Sequence, residues 1–78
     1  MENTRETVRA VLQRVNPRIH ADSEDLIRDG ELDSLRMVML VTELGAEFDV
    51  VIPVREIIPD NFRSLESIAA MMERLTDF

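Results

Sequence analysis

The sequence predicts an all-α fold: a small antiparallel bundle of three main helices and one short helix, with a long loop between helices 1 and 2. Three separate segments carry apolar residues at the spacing of a helix face, and residues 16–33 between the first two do not. The chain has 78 residues, 45% of them apolar, which is enough for one small core. We therefore expect a single domain over residues 1–78.

Helix 1 is predicted at about residues 3–15. The residues of its apolar stripe, which share one helix face, are Val8, Val11, Leu12 and Val15. Asn3 followed by Glu6 has the pattern of a capping box at the start of the helix. The pair Asn16–Pro17 predicts its end, because the residue before a proline is disfavoured in the α region.

Residues 16–33 are predicted to form the long loop. It has eighteen residues, whereas most connections in compact domains have roughly 4–6. Ile19, Leu26 and Leu32 are scattered along it, so we expect the loop to pack onto the bundle with a short helical turn. Its acids are concentrated in residues 22–33, where six acids and one arginine give a net charge of −5.

The second half of the chain contains the other helices. Helix 2 is predicted at residues 35–48, and either Asp33 or Ser34 can cap its first turn. Residues 50–53 are expected to be extended, and residues 54–58 to form one or two helical turns before Pro59. Ser64 is predicted to cap the final helix. The buried stripe of that helix is expected to be Leu65, Ile68, Ala69, Met72 and Leu75.

Helix 2 carries more uncharged surface than one core face needs. Its predicted core arc contains Met37, Leu40, Val41, Leu44 and Phe48. A narrow charged arc contains Arg36, Glu43 and Glu47. A second uncharged arc contains Leu35, Val38, Met39, Thr42, Gly45 and Ala46. Two interpretations stay open: other helices bury this second arc, or its large apolar residues form an exposed patch that docks partners.

The segment Gly30–Leu35, GELDSL, followed by an apolar helix ending in Glu47–Phe48, resembles the attachment-site region of acyl and peptidyl carrier proteins. The helix pattern, the long first loop and the closing segment Phe62–Ile68 extend this resemblance over nearly the whole chain. In that family the serine of Asp-Ser-Leu receives 4′-phosphopantetheine from coenzyme A. The resemblance therefore implies an acyl-carrier-protein-like fold and a stand-alone acyl or aminoacyl carrier. It would carry thioesters on an arm at Ser34 in fatty-acid, polyketide or related biosynthesis.

The position of Ser34 suits such a role. Unpaired N–H groups and the positive end of a helix dipole stabilise a phosphate at a helix start. Asp33 opposes a phosphate electrostatically, so we expect it to cap helix 2, and the resemblance implies that it also assists Mg²⁺ during transfer. The alternative function is a non-catalytic helical interaction domain in which Ser34 is only a helix cap.

The resemblance also implies partners, namely a phosphopantetheinyl transferase and acyl or aminoacyl ligases or synthases. The residues expected to contact them are Leu35, Arg36, Val38, Met39 and Thr42. Fatty-acid-type carriers usually place acids along this helix face, whereas Arg36 here follows the Ser-Leu pair directly. We therefore expect the acidic loop to attract basic partner surfaces and the helix face to supply apolar contact.

Composition excludes several other function classes. A net charge of −7 repels phosphate backbones and anionic membranes, so nucleic acid is not an expected partner. With a single histidine, no cysteine and no lysine, the chain has few groups for catalysis, so we expect neither an enzyme nor a metal site. His20 is assigned to loop packing or solvent. The N-terminus has no signal-peptide pattern and no segment is long enough to span a membrane, so a cytoplasmic monomer is expected.

Overall fold

The computed structural model of this chain describes residues 3–76 and contains three α-helices. Helix α1 is Thr4–Val15, α2 is Ser34–Phe48 and α3 is Leu65–Thr76. Helix α1 packs against both α2 and α3. The described residues contain no strand, so the predicted all-α fold is confirmed. None of the described helices is long and apolar enough to cross a membrane.

Helix α1 begins and ends where its sequence predicts. The side-chain oxygen of Asn3 accepts the N–H of Glu6 at 3.2 Å, which confirms the predicted N-cap. Asn16, the residue before Pro17, is extended at φ −141° and ψ 95° and terminates the helix. The four stripe residues of α1 are all buried, so the predicted core face is confirmed.

The long loop is anchored to the bundle. Leu26 and Leu32 are buried in the core together with Ala21. The N–H of Leu26 donates to the carbonyl of Arg63 at 2.6 Å, and the N–H groups of Glu31 and Leu32 donate back to the Leu26 carbonyl. Residues 25–30 form a single turn, which lies next to these hydrogen bonds. The loop therefore packs down as predicted and delivers the chain to the start of α2 in a defined position.

Helix α2 ends at a sharp reversal. Asp49 adopts the left-handed conformation at φ 55° and ψ 49°, and its N–H donates to the Gly45 carbonyl. A Cβ added at Gly45 would lie 2.9 Å from the carbonyl oxygen of Val50. Glycine is therefore required at position 45, because the returning chain passes directly over the last turn of the helix.

The segment between α2 and α3 contains two short turns. The predicted short helix is a single 3₁₀ turn, Val54–Glu56, and a second 3₁₀ turn, Pro59–Asn61, follows without having been predicted. The Ser64 hydroxyl accepts the N–H of Ser67 at 3.2 Å, as predicted for the cap of α3. The stripe prediction for α3 needs one change, since Met71 is fully buried and Leu75 only half-buried. Helix α3 packs on the second turn as well as on α1, which widens its buried face.

Candidate functional site

Ser34 is the first residue of α2 and its side chain is exposed. The cap of this helix is Asp33, whose carboxylate accepts the N–H of Arg36 at 2.9 Å. Among the described residues, the Ser34 hydroxyl has no hydrogen-bond partner. The interpretation of Ser34 as only a helix cap is therefore wrong, because the residue before it already fills that role. The serine hydroxyl is left free for chemistry.

The charge of Asp33 is partly offset inside the site. Its second carboxylate oxygen lies 3.6 Å from the guanidinium of Arg36, three residues further along the helix. The first N–H groups of α2 have no intrahelical acceptor and point toward the Ser34 end of the helix. An anion on Ser34 would thus meet backbone N–H groups and the positive end of the helix dipole, beside an aspartate that is already paired.

A cleft of about 510 Å³ opens beside Ser34. The residues that line it are Ile27, Gly30, Leu32, Asp33, Ser34, Met37 and Pro59. Gly30 has φ +75°, and nothing lies within 4 Å of a Cβ added there, so it is needed for the backbone turn that shapes the rim and not for space. A flexible arm attached to Ser34 fits this place, because a free hydroxyl and a largely apolar cleft lie side by side.

The sequence pattern did not predict this cleft. Ile27 and Pro59 are distant from each other in sequence and come together only because the loop and the second 3₁₀ turn pack near the start of α2. Within the part of the chain that the structure describes, no group of three or more His, Asp or Glu side chains could hold a metal ion. The assistance of Asp33 to Mg²⁺ during transfer stays a prediction.

The second uncharged arc of α2 is exposed except at Gly45, which the returning chain covers. Leu35 is 70% exposed, Val38 65% and Met39 41%, and Thr42 beside them is also exposed. In the predicted core arc, Leu40 and Leu44 are fully buried. Met37, Val41 and Phe48 are partly buried and pack against the core. The interpretation in which other helices bury the second arc is therefore wrong. We call Leu35, Val38, Met39 and Thr42 the apolar face of α2.

The two acids of α2 point away from this face. Glu43 and Glu47 both bind the guanidinium of Arg14 on α1, at 3.3 and 3.0 Å. Arg36, the fifth residue of the predicted partner surface, is partly buried and lies near Asp33. The exposed side of α2 beyond its first turn consequently carries almost no unpaired charge.

The acids of the loop bind neighbouring bases. Asp22 pairs with Arg9 at 3.0 Å and Asp29 with Arg28 at 3.1 Å. The carboxylate of Asp25 accepts the N–H of Arg28 at 2.9 Å and lies 3.7 Å from Arg63. Together with Glu31 and Asp33, five of the six acids in residues 22–33 take part in such contacts. These contacts join the loop to α1 and to Arg63 at the protein surface, where an exposed ion pair contributes about 0–1 kcal/mol.

His20 and Glu31, near the two ends of the loop, are in direct contact. Both the backbone N–H and the ring Nδ1 of His20 contact the Glu31 carboxylate at 3.0 Å. The hydrogen bond and the charge of Glu31 raise the pKa of His20, and the same hydrogen bond lowers the pKa of Glu31. Asn16 adds a bond from its side-chain amide to the Glu31 carbonyl at 3.3 Å. The His20 side chain is 83% exposed and its contact with Glu31 stays within the loop, in agreement with the predicted role in loop packing or solvent.

A family model described as a phosphopantetheine attachment site matches residues 4–72. The chain belongs to this family and is a carrier protein with a covalently attached 4′-phosphopantetheine prosthetic group. The matched residues include α1, the loop, α2 and most of α3. The free serine, the cleft and the exposed helix face described above all lie within this range.

Two named relatives are similar over most of the chain. The aminoacyl carrier protein 2 of Bradyrhizobium diazoefficiens is 39% identical over 67 residues, covering 83% of this chain and 73% of that protein. The D-alanyl carrier protein of Lactococcus lactis subsp. cremoris is 38% identical over 53 residues, covering 68% of this chain and 67% of that protein. No solved structure matches the chain significantly.

Proposed function

We propose that this chain is an aminoacyl carrier, which holds an amino acid as a thioester on a 4′-phosphopantetheine arm attached to Ser34. The observation that carries the proposal is the free, exposed hydroxyl of Ser34 at the start of α2, with Asp33 supplying the cap. The aminoacyl cargo is supported by the printed names of its relatives, an aminoacyl and a D-alanyl carrier protein.

The residues of the chain act by holding and presenting the arm. Ser34 contributes the oxygen of the phosphodiester bond, and the N-terminus of α2 stabilises the negative charge of that bond. The cleft lined by Ile27, Leu32 and Met37 offers an apolar surface along which the arm can lie. The bound group supplies the thiol that this sequence, which has no cysteine, does not contain.

The chain works as a substrate of other enzymes and does not catalyse a reaction itself. Its partners are a phosphopantetheinyl transferase and an amino-acid ligase that loads the arm. We assign their contact surface to the apolar face of α2 together with Arg36. This surface begins one residue after Ser34 and stays exposed for two turns of the helix. An enzyme that reaches Ser34 therefore covers it.

Intact mass spectrometry tests the attachment site. The purified chain, incubated with coenzyme A, Mg²⁺ and a broad-specificity phosphopantetheinyl transferase, should gain the mass of one phosphopantetheinyl group. The Ser34→Ala variant should gain nothing, while a Ser64→Ala variant should be modified like the natural chain. Modification of the Ser34→Ala variant, or no modification of the natural chain, would contradict the proposal.

Loading of the modified chain tests the cargo. Amino-acid ligases from the source genome, each purified and supplied with ATP and radiolabelled amino acids, should label the modified chain but not the Ser34→Ala variant. Hydroxylamine should release the label, because a thioester is cleaved by this nucleophile. If only fatty-acyl or polyketide extender groups are accepted, the aminoacyl assignment is wrong while the attachment at Ser34 stands.

A further inference from the structure

Arg36 is the base nearest to Ser34 in sequence and lies in the first turn of α2. Its guanidinium is 3.6 Å from the carboxylate of Asp33, which is an ion-pair distance but longer than a hydrogen bond. Within residues 3–76 this guanidinium donates no hydrogen bond, although the side chain is 39% exposed. A guanidinium has several N–H donors in a planar fork. Arg36 therefore keeps donors for a further acceptor near the start of α2.

The contact with Asp33 places the Arg36 guanidinium at the N-terminal end of α2. Residues two positions apart on a helix do not face each other, so Arg36 does not reach Ser34 by projecting straight outward. Helical side chains lean toward the N-terminus, however, and the carboxylate of Asp33 is fixed there because it accepts the N–H of Arg36 at 2.9 Å. The guanidinium consequently lies beside the residue that immediately precedes Ser34.

Two other arginines lie close in sequence to residues that line the cleft beside Ser34, and both have shorter contacts of their own. Arg28 of the loop donates to Asp29 at 3.1 Å. Arg63, which precedes α3, binds Asp60 at 2.7 Å. Compared with these two, Arg36 is held only by its longer contact with Asp33. A new anion at the start of α2 would therefore compete least with existing contacts at Arg36.

The arm attached at Ser34 adds such an anion to an acidic part of the chain. A phosphodiester is negatively charged at neutral pH, and here it would follow directly after Asp33. Residues 22–33 already have a net charge of −5. Like charges at short distance raise the free energy of the folded state, and the helix dipole offsets only part of this cost. The modified chain therefore needs a positive side chain at this helix start.

We propose that Arg36 binds the phosphodiester of the arm while it remains beside Asp33, so that one guanidinium holds two anions at the start of α2. This inference rests on the proposed attachment at Ser34 and adds a binding residue for the attached group. Arginine suits this acceptor because its fork can donate two parallel hydrogen bonds to a phosphate. Arg36 is then a residue that positions the base of the arm within the chain, in addition to any contact it makes with partner enzymes.

Thermal melting of the unmodified and modified forms tests the proposal. Attachment should lower the Tm of Arg36→Gln by about 3–6 °C more than it lowers the Tm of the natural chain, because two anions then share the helix start without a cation. Arg36→Lys should give an intermediate result, since an ammonium keeps the charge but not the fork. In about 1 M NaCl the difference between Arg36→Gln and the natural chain should shrink, because salt screens exposed charges.

Arg5→Gln is the matched control, because it also replaces an exposed arginine by glutamine. The Arg5 guanidinium binds Glu66 at the start of α3 and is not part of the contact at Asp33. Each variant is compared with its own unmodified form, so the loss of the contact with Glu66 cancels. The change in Tm on attachment should therefore stay within about 1 °C of the natural value. If Arg36→Gln is not fully modified, Arg36→Lys replaces it in the comparison.

Nuclear magnetic resonance gives a second readout that needs only the natural chain in its two forms. The side-chain Nε–H signal of Arg36 should shift on attachment, because the group gains a phosphate acceptor, and the corresponding signal of Arg5 should not. The phosphorus signal of the arm should differ between the natural chain and Arg36→Gln. Neither measurement depends on the activity of a partner enzyme with the loaded chain.

Three results would overturn the inference while leaving attachment at Ser34 intact. One is an equal change of Tm on attachment in the natural chain and in Arg36→Gln. Another is an Arg36 Nε–H signal that is the same in both forms. The third is an Arg36→Gln chain that is modified slowly but, once modified, melts like the natural chain, because Arg36 would then contact only the transferase. A natural chain that gains no phosphopantetheinyl mass would instead contradict the proposed function.

Discussion

The loop before Ser34 and the helix after it use their residues in opposite ways. In the loop, most of the acids pair within the loop or with nearby residues, and Leu26 and Leu32 are in the core. In α2, the two acids bind Arg14 of α1, and Leu35 and Val38 are left exposed. Both segments contact the core, yet only one of them leaves large apolar side chains on the surface.

The two segments therefore differ in what they do around Ser34: the loop packs into the core before it, and α2 leaves apolar side chains exposed after it. Most acids of the loop contact groups within the chain, and the attraction of basic partners to the loop stays a prediction. The periodicity of the helix leaves open whether its second uncharged arc is buried or exposed, and in the structure Leu35, Val38 and Met39 on that arc are open to solvent. Exposed apolar area has a free-energy cost in water, and the docking role proposed for this face would account for its presence beside Ser34.

The largest effect is expected from truncating a leucine of the loop. Leu26→Ala should lower the free energy of unfolding by about 2–5 kcal/mol, because Leu26 is fully buried and the loop cannot refill the cavity. Leu35→Ala, the same change on the exposed face of α2, should stay within about 0.5 kcal/mol. Urea denaturation measures both. Equal losses in the two variants would show that the two regions do not differ as described.

A smaller effect is expected at the junction between the two regions. Asp33→Ala should lower the free energy of unfolding by about 1 kcal/mol, because the start of α2 loses its cap. Asp33→Asn keeps an oxygen acceptor in the same place and should recover most of that loss. Chemical denaturation again gives the measurement. If Asn were as harmful as Ala, the charge of Asp33 near Arg36 would matter more than the cap.

The smallest effect concerns the pH dependence of the contact between His20 and Glu31. The pKa of His20 is raised from 6.5, so its contribution is complete below that pH and is lost as the pH rises through the folded value. The pKa of Glu31 is lowered from 4.5, so its contribution is complete above that pH and is lost as the pH falls through the folded value. The contact should therefore stabilise the loop most between pH 4.5 and 6.5.

Thermal melting of the natural chain and of His20→Gln, repeated across this pH range, checks the expectation. The difference in Tm should be largest inside the window and shrink on both sides of it. Glu31→Gln should show the same pattern, because each variant removes one partner of a single contact. A Tm difference that does not vary with pH would mean that the ion pair contributes nothing and only neutral packing is lost.

The helices were predictable because their signals are local. The cap at Asn3, the proline after Asn16 and the apolar stripes act within one or two turns, so neighbouring residues suffice to place α1 and α3. The position of Ser34 at a helix start was predictable for the same reason, and attachment at this residue stays a prediction. Even the separation of α2 into a core arc and an uncharged arc follows from its periodicity alone.

The remaining features depend on contacts between distant residues. Periodicity cannot say whether the uncharged arc of α2 is covered, because that depends on where α1 and α3 pack. The pairing of Glu43 with Arg14 joins residues 29 positions apart, and the cleft brings Ile27 to Pro59. The second 3₁₀ turn was missed because its short segment carries no apolar spacing to detect.

The bond from the Leu26 N–H to the Arg63 carbonyl has a consequence for biosynthesis of the chain. A ribosome makes residue 34 well before residue 63, so the serine is synthesised while its loop still lacks this anchor. Domains complete their folding only after their distant contacts become available. We therefore expect Ser34 to be a poor substrate of the transferase on a nascent chain and to become a good one once the start of α3 has emerged. Modification of Ser34 would then indicate that the chain has completed its folding.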